Sequence, residues 1–377
     1  MIRVEVRWTA VAAAWLLAAG GVDVSRAQSA PAPAPAPALG AATAPRSWGL
    51  GFAINPPRPS VRVAVQGIDR WSRRAEYAAL HEAVPWRELL AGTAPQAIIA
   101  RDKVKLFEYL RGKGLRIYFM ADATDGLSRA EEAPQLRAAG RSLAEPAVQR
   151  LYRDYVLAVA RELRPEIIGL AAETNLVRTA APARVYAAVV QVANDTAAAL
   201  RAAGSPAILL ASVQVESAWG VLGNGGRTGP GTGYAGIERD FADFPFAQWL
   251  GLSSYPYFAF SQPEDIPDDY YRRLLGGRER PVMVVEGGWS STAVGPVRSS
   301  PQLQARYFAR QARLLDDIGA RGLLQLLFAD LDLRAFPKPQ PVLLPLFAGI
   351  GVVDSRFGAK PALAAWDALH ARPYAPR

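Results

Sequence analysis

The sequence contains no cysteine, two histidines (His81 and His370) and five lysines among its 43 basic residues. Without thiols it can form no disulfide, no iron–sulfur cluster and no cysteine nucleophile, and two histidines cannot supply a structural zinc site. No metal and no cofactor are expected. The chemistry must then come from carboxylates, hydroxyls, Arg, Lys or the two histidines, of which His370 belongs to a terminal helix. Runs of like charge are missing as well. The chain carries a net charge of +9, yet its arginines are scattered. Arg70, Arg73 and Arg74 read as the solvated face of a helix, so nucleic acid is not an expected partner.

What is present divides the chain into three parts. Residues 1–27 have the layout of a secretory signal: Arg3 and Arg7, an apolar stretch from Ala10 to about Gly21, and Ser25-Arg26-Ala27 as a small-x-small cleavage site. A membrane span wants roughly 20 apolar residues, so a signal peptide is favoured over an anchor. The mature chain is expected to be exported, periplasmic or secreted, with no stable span. Residues 28–46 include an alternating Ala-Pro tract that stays extended and acts as a spacer. Residues 47–377 read as one domain, and with half of all residues hydrophobic they can bury a large core.

Eight short apolar runs recur in that domain: Trp48 to Ile54, Ala78 to His81, Leu115 to Ala121, Ile167 to Ala172, Ala207 to Val213, Trp249 to Tyr255, Val282 to Val285 and Leu323 to Phe328. Helical patterns lie between several of them, such as Val148, Leu151, Tyr152, Tyr155, Val156, Val159 and Leu163, spaced three or four residues apart. Apolar strands alternating with amphipathic helices predict a parallel sheet with right-handed crossovers. Eight such units predict a (β/α)8 TIM barrel. An open doubly wound sheet is the alternative, but Gly49 and Gly51 are followed by Asn55-Pro56-Pro57, which cannot open a dinucleotide-binding helix.

A barrel places its chemistry at the C-terminal ends of its strands. Strand four is followed by Glu173-Thr174-Asn175 and strand seven by Glu286-Gly287-Gly288-Trp289. Two carboxylic acids at one barrel mouth can cleave an acetal, one giving a proton to the leaving oxygen while the other attacks the anomeric carbon or directs a water. Glu173 and Glu286 are the candidate catalytic pair, and a barrel-mouth salt bridge with Arg178 or another arginine is the plain alternative for each.

These residues resemble the clan A glycoside hydrolases, with a distant similarity to endo-β-1,4-galactanases. The resemblance runs from about Ser47 to Leu369. It is carried by Gly169-Leu-Ala-Ala-Glu173-Thr-Asn175, by Arg280-Pro-Val-Met-Val-Val-Glu286-Gly-Gly-Trp289, and by the closing Gly349-Ile-Gly351-Val-Val-Asp354-Ser-Arg-Phe-Gly358-Ala-Lys360-Pro361-Ala362. It implies that Glu173 is the proton donor and then base, and Glu286 the nucleophile of a retaining enzyme. Two positions depart from the clan pattern: Ala172 stands where Asn usually precedes the acid/base, and strand eight offers Phe328 and Asp330 in place of a sugar-platform Trp.

Sugars stack their C–H faces on aromatic rings. Trp219, Tyr255, Tyr257 and Trp289 follow predicted strands and are candidate substrate contacts, together with Asn175, Asp330 and His81. Tyr255 is best placed to hydrogen-bond Glu286. Glu216, past strand five, reads as a substrate contact or a loop charge. Asp122 and Asp125, like Asp330 and Asp332, form spacings too common to assign to calcium. The Gly223–Gly233 segment matches no phosphate loop and reads as a loop over the cleft. The expectation is an exported retaining glycosidase acting on a poly- or oligosaccharide; the alternative is a catalytically silent glycan-binding barrel or a component of envelope polysaccharide assembly or export.

Overall fold

The computed structural model describes residues 44–222 and 233–376. The expected signal peptide, most of the Ala-Pro spacer and nearly all of the Gly-rich segment lie outside the described residues.

Eight strands close into a barrel: β1 (Gly49–Ala53), β2 (Tyr77–Ala83), β3 (Arg116–Asp122), β4 (Ile167–Ala171), β5 (Ile208–Gln214), β6 (Trp249–Ser254), β7 (Val282–Gly287) and β8 (Gly322–Gln325). Each strand pairs with the next in parallel, and β1 closes against β8 with Gly49 opposite Gly322. An open sheet is therefore set aside. All eight apolar runs become strands because each is covered on both faces, by the barrel interior and by the helix layer. Two ends shift. β7 continues through Glu286 and Gly287, so Glu286 lies within the strand, and β8 stops before Phe328.

The barrel interior explains one glycine. A Cβ on Gly169 of β4 would lie 2.5 Å from Met120 Cε and 3.0 Å from the Tyr118 hydroxyl. Only hydrogen at that position lets two large β3 side chains fill the barrel under its mouth.

The helices hold the strand ends. Helix Pro146–Leu163 buries Val148, Tyr152, Tyr155, Val156, Val159 and Leu163 along one face. The Tyr152 hydroxyl reaches the carbonyls of Ala121 and Leu170, each at 2.9 Å, and so ties the tops of β3 and β4 together. Helix Pro301–Asp317 begins with Pro301 behind Ser300, whose hydroxyl accepts from the Leu303 amide at 3.2 Å. At the other end of the barrel the chain is engaged from Arg46, a buried side chain paired with Glu76 at 2.6 Å.

One element has no counterpart among the expected strands. After β3, Thr124–Asp125 and Ser128–Glu132 form a small antiparallel hairpin. Its residues are mostly polar and show no apolar alternation, so periodicity could not find it. Among the described residues no helix is long and apolar enough to cross a membrane.

Candidate active site

Because all eight strands run in one direction, their C-terminal ends meet at one mouth. β2 contributes His81, β3 Asp122 and β7 Glu286; Glu173 stands two residues past the end of β4 and Tyr255 directly after β6. The β3 hairpin adds Arg129, whose side chain is fully buried.

These six side chains form one connected network. Tyr255 donates its hydroxyl to Glu286 Oε1 at 2.5 Å. His81 Nδ1 lies 3.2 Å from Glu286 Oε2, and its Nε2 lies 2.8 Å from Asp122 Oδ2. Arg129 donates through Nη1 to Asp122 Oδ2 at 2.7 Å and through Nε to Glu173 Oε2 at 2.9 Å. The two candidate glutamates are thus joined through Arg129, Asp122 and His81, and both are buried, at 0% and 3% exposure.

The electrostatics follow from that arrangement. Burial opposes charge on His81, but the hydrogen-bonded carboxylates of Asp122 and Glu286 outweigh it and lift the imidazole to about 9. Burial likewise opposes charge on Asp122, yet Arg129 and His81 hold it well below the usual carboxylate range. With Asp122 and Glu286 as anions and His81 and Arg129 as cations, the cluster is neutral. A further charge on Glu173 has nothing left to balance it. Burial pushes Glu173 up to about 7, against the pull of Arg129 and with the help of the Glu286 charge. Burial and the same Glu286 charge hold Tyr255 well above its ordinary value, so it remains a hydroxyl donor. The arrangement separates the two glutamates into a proton carrier and an acceptor of two donors, the division that acetal cleavage requires.

Glu173 is also strained. Its backbone sits in the left-handed region at φ 45° and ψ 49°, which costs a residue with a Cβ roughly 1–2 kcal/mol. Its amide donates to Ser212 Oγ on β5 at 3.0 Å, and its carbonyl accepts from Leu176 and Val177 at the start of helix Thr174–Ala180. Strain of this kind persists where surrounding contacts over-determine it, commonly at functional sites.

The other expected contacts are engaged with the protein itself. Asn175 donates to the Gln214 carbonyl at 2.8 Å and accepts from the Gln214 amide at 2.8 Å, stitching the β4 turn to β5. Trp219 stacks on Tyr270 with ring centres 5.3 Å apart and donates to the Tyr270 carbonyl, while the Arg273 guanidinium sits 5.0 Å from its ring centre. Trp289 is fully buried and donates to Ser299. Tyr257 packs edge-on to Trp289 and donates to the Leu346 carbonyl. Asp330 pairs with Lys360 at 2.8 Å and accepts from the Gly351 amide, so the closing Gly-rich turn and its lysine form a half-buried polar clasp. Glu216 is fully buried, accepting from Ser254, the Tyr255 amide and Tyr270 on one oxygen and from Gln214 on the other. It fixes the loop that carries Tyr255 and is no loop charge. Arg178 pairs with Asp240, and the cation that meets Glu173 is Arg129.

Arg129 is the residue that sequence reasoning missed, since nothing distinguishes it from the other arginines. Asp122 had a weak signal, an acid at a strand end. Beside the network, a cavity of about 380 Å³ opens between the ends of β2 and β3, lined by Glu82, Trp86, Lys103, Thr124, Asp125 and Tyr155 among others. It shares Thr124 with the network, because the Thr124 hydroxyl accepts from Arg129 Nη1 at 2.9 Å.

No protein-family model and no curated protein matches the chain. Solved structures do. An exo-β-1,4-mannosidase from Opitutaceae bacterium strain TAV5 superposes with a TM-score of 0.62 at 16% identity, covering 89% of this chain, which spans 62% of that one. A GH5_18 protein from Streptomyces cattleya, solved with GlcNAc, gives 0.60 at 15% identity over 89% of this chain and 83% of its own. Xylanase 10B from Thermotoga maritima gives 0.54 at 12% identity, covering 86% and 95%. The structural neighbours of this chain are therefore TIM-barrel glycoside hydrolases of clan A, and at these identities the likeness is one of fold.

Proposed function

We propose that the protein is an exported glycoside hydrolase that cleaves a poly- or oligosaccharide with retention of configuration. The observation that carries this reading is the charge-balanced network joining Glu173 to Glu286, which leaves the proton on Glu173 and directs two donors at Glu286.

In the first step Glu286 Oε attacks the anomeric carbon while Glu173 gives its proton to the glycosidic oxygen. The C–O bond breaks with its electron pair staying on that oxygen, and a glycosyl ester forms on Glu286. In the second step Glu173, now ionised, takes a proton from water, whose oxygen attacks the anomeric carbon and releases Glu286 as a carboxylate. Tyr255 and His81 hold Glu286 in line for attack. The cavity beside β2 and β3 falls within the roughly 300–1,000 Å³ of small-molecule sites and would receive sugar units flanking the cleaved bond.

A second reading has one specific observation in its favour. Glu173 is fully buried and paired with Arg129, as a structural carboxylate would be in a barrel that binds glycans without cleaving them. Trapping decides between the two. Incubation with 2-deoxy-2-fluoro glycosides bearing dinitrophenyl leaving groups should add one sugar mass to Glu286 in the wild type and none in Glu286→Gln. A panel without any label, together with binding on a glycan array, would establish the silent barrel instead. Export is tested separately, by the N-terminal sequence of the protein recovered from outside the cytoplasm, expected to begin after Ala27.

A further inference from the structure

We propose that Arg129 is a positioning residue that assigns the two oxygens of Glu173 different tasks, Oε2 as the anchored acceptor and Oε1 as the atom that carries and delivers the proton. The proposal rests on the glycosidase reading for the destination of the proton, but not for the assignment of the oxygens.

The geometry of the guanidinium is the argument. An arginine that only neutralises a carboxylate favours a fork, two parallel N–H donors on both oxygens. Arg129 does otherwise. It spends Nε on Glu173 Oε2 at 2.9 Å and Nη1 on Asp122 Oδ2 and Thr124 Oγ1 at 2.7 and 2.9 Å. Glu173 Oε1 and Arg129 Nη2 are both buried and find no hydrogen-bond partner among the described residues. Buried polar atoms are almost always satisfied, so an unmatched acceptor and donor on two paired side chains need an explanation.

Proton placement supplies it. Arginine has donors only, so Oε2 must accept. The proton of a neutral Glu173 then belongs on Oε1, the oxygen left open. Arg129 is itself held by Asp122 and Thr124, so its single bond to Oε2 keeps the two carboxyl oxygens distinct. When Oε1 gives its proton to the leaving oxygen, the O–H bond breaks with its electrons remaining on Glu173, and the new negative charge already faces Arg129 through Oε2. In the second step Oε1 takes a proton from the attacking water and the starting state returns.

The test compares Arg129→Lys, which keeps the charge, with Arg129→Gln, which loses it. Because Arg129→Gln leaves the buried Asp122 carboxylate short of a partner at a cost to folding, the double variant Arg129→Gln/Asp122→Asn removes both charges together. The first readout needs no substrate: ¹³C NMR titration of the Glu173 carboxyl in protein labelled at glutamate, assigned by its loss in Glu173→Gln. Losing the guanidinium should move the Glu173 midpoint upward by about one to three pH units, while Arg129→Lys stays near the wild type. The second readout is hydrolysis of aryl glycosides. Rates with poor leaving groups should fall at least tenfold more than rates with dinitrophenol, which needs no proton.

A Glu173 midpoint unchanged in both charge-loss variants would overturn the proposal, as would equal losses for good and poor leaving groups. If the wild type cleaves no glycoside, the glycosidase reading fails and the titration still decides what Arg129 does to Glu173.

Discussion

His81 stands between two carboxylates, Nδ1 at 3.2 Å from Glu286 and Nε2 at 2.8 Å from Asp122. Both ring nitrogens face acceptors, so only the imidazolium satisfies both contacts. The ring fixes the direction of Glu286 and shares the Asp122 Oδ2 acceptor with Arg129.

That arrangement sets the pH dependence of stability. His81 is lifted from 6.5 to about 9 in the fold, so its contribution is complete below pH 6.5 and is lost as pH rises through 9, an effect on the order of 3 kcal/mol. Glu173 is lifted from 4.5 to about 7, and a neutral form favoured by the fold also loses stability as pH rises, here between 4.5 and 7. Both act in the same direction. Urea unfolding should give a lower free energy at pH 9.5 than at pH 5.5, and His81→Gln should flatten the decline between pH 6.5 and 9. Stability that climbs across that window would contradict the network.

Activity should have its own limb. A proton donor must be protonated to work, so turnover of an aryl glycoside with a poor leaving group should fall above about pH 7, where Glu173 ionises. The same limb should weaken with dinitrophenyl glycosides. A profile that keeps rising to pH 9 with the poor leaving group would remove Glu173 from the acid role.

Tyr255→Phe deletes one hydrogen bond to Glu286 and leaves the buried ring, which packs against Phe347 with centres 5.0 Å apart. A hydrogen bond to a charged group contributes about 1.5–3 kcal/mol, so kcat should fall roughly 10- to 150-fold. KM and the melting temperature should change little. A kcat within twofold of the wild type would show that the tyrosine contributes nothing to the attack.

Asp330→Asn and Lys360→Met address the closing clasp. Asp330 is mostly buried, with burial lifting it to about 6 against the pull of Lys360. Lys360→Met strands that carboxylate and should cost about 3–5 kcal/mol, seen as a lower urea midpoint. Asp330→Asn should lower stability less and leave KM for an aryl glycoside unchanged. A raised KM without loss of stability would instead place Asp330 against substrate.

Gly169→Ala tests the floor of the site. The new Cβ would press on Met120 Cε at 2.5 Å, and overpacking of this kind costs typically about 1–3 kcal/mol. Because Met120 and Tyr118 lie on the strand that ends in Asp122, the loss should appear in both stability and kcat. A fully stable, fully active variant would mean that the β3 side chains have room to move.

The eight strands and the two glutamates were determined by the sequence alone, because both are local signals. A strand covered on two faces must be a short continuous apolar run, as Ile167 to Ala171 is, and a carboxylate directly after such a run lands at the barrel mouth whatever surrounds it. Tyr255 and His81 were legible for the same reason, each closing an apolar run. Tertiary structure alone decided the rest. Arg129 lies on a polar hairpin and meets Glu173 across 44 residues of sequence; no residue pattern marks which arginine a barrel closure will bring to a carboxylate. Asn175, Trp219, Tyr257, Trp289 and Asp330 stand near the right strand ends, but strand spacing gives an address and not a direction. Whether a side chain faces the mouth or its neighbours depends on hydrogen-bond partners such as Gln214, Tyr270, Leu346, Ser299 and Lys360, which reach those positions only when the barrel closes.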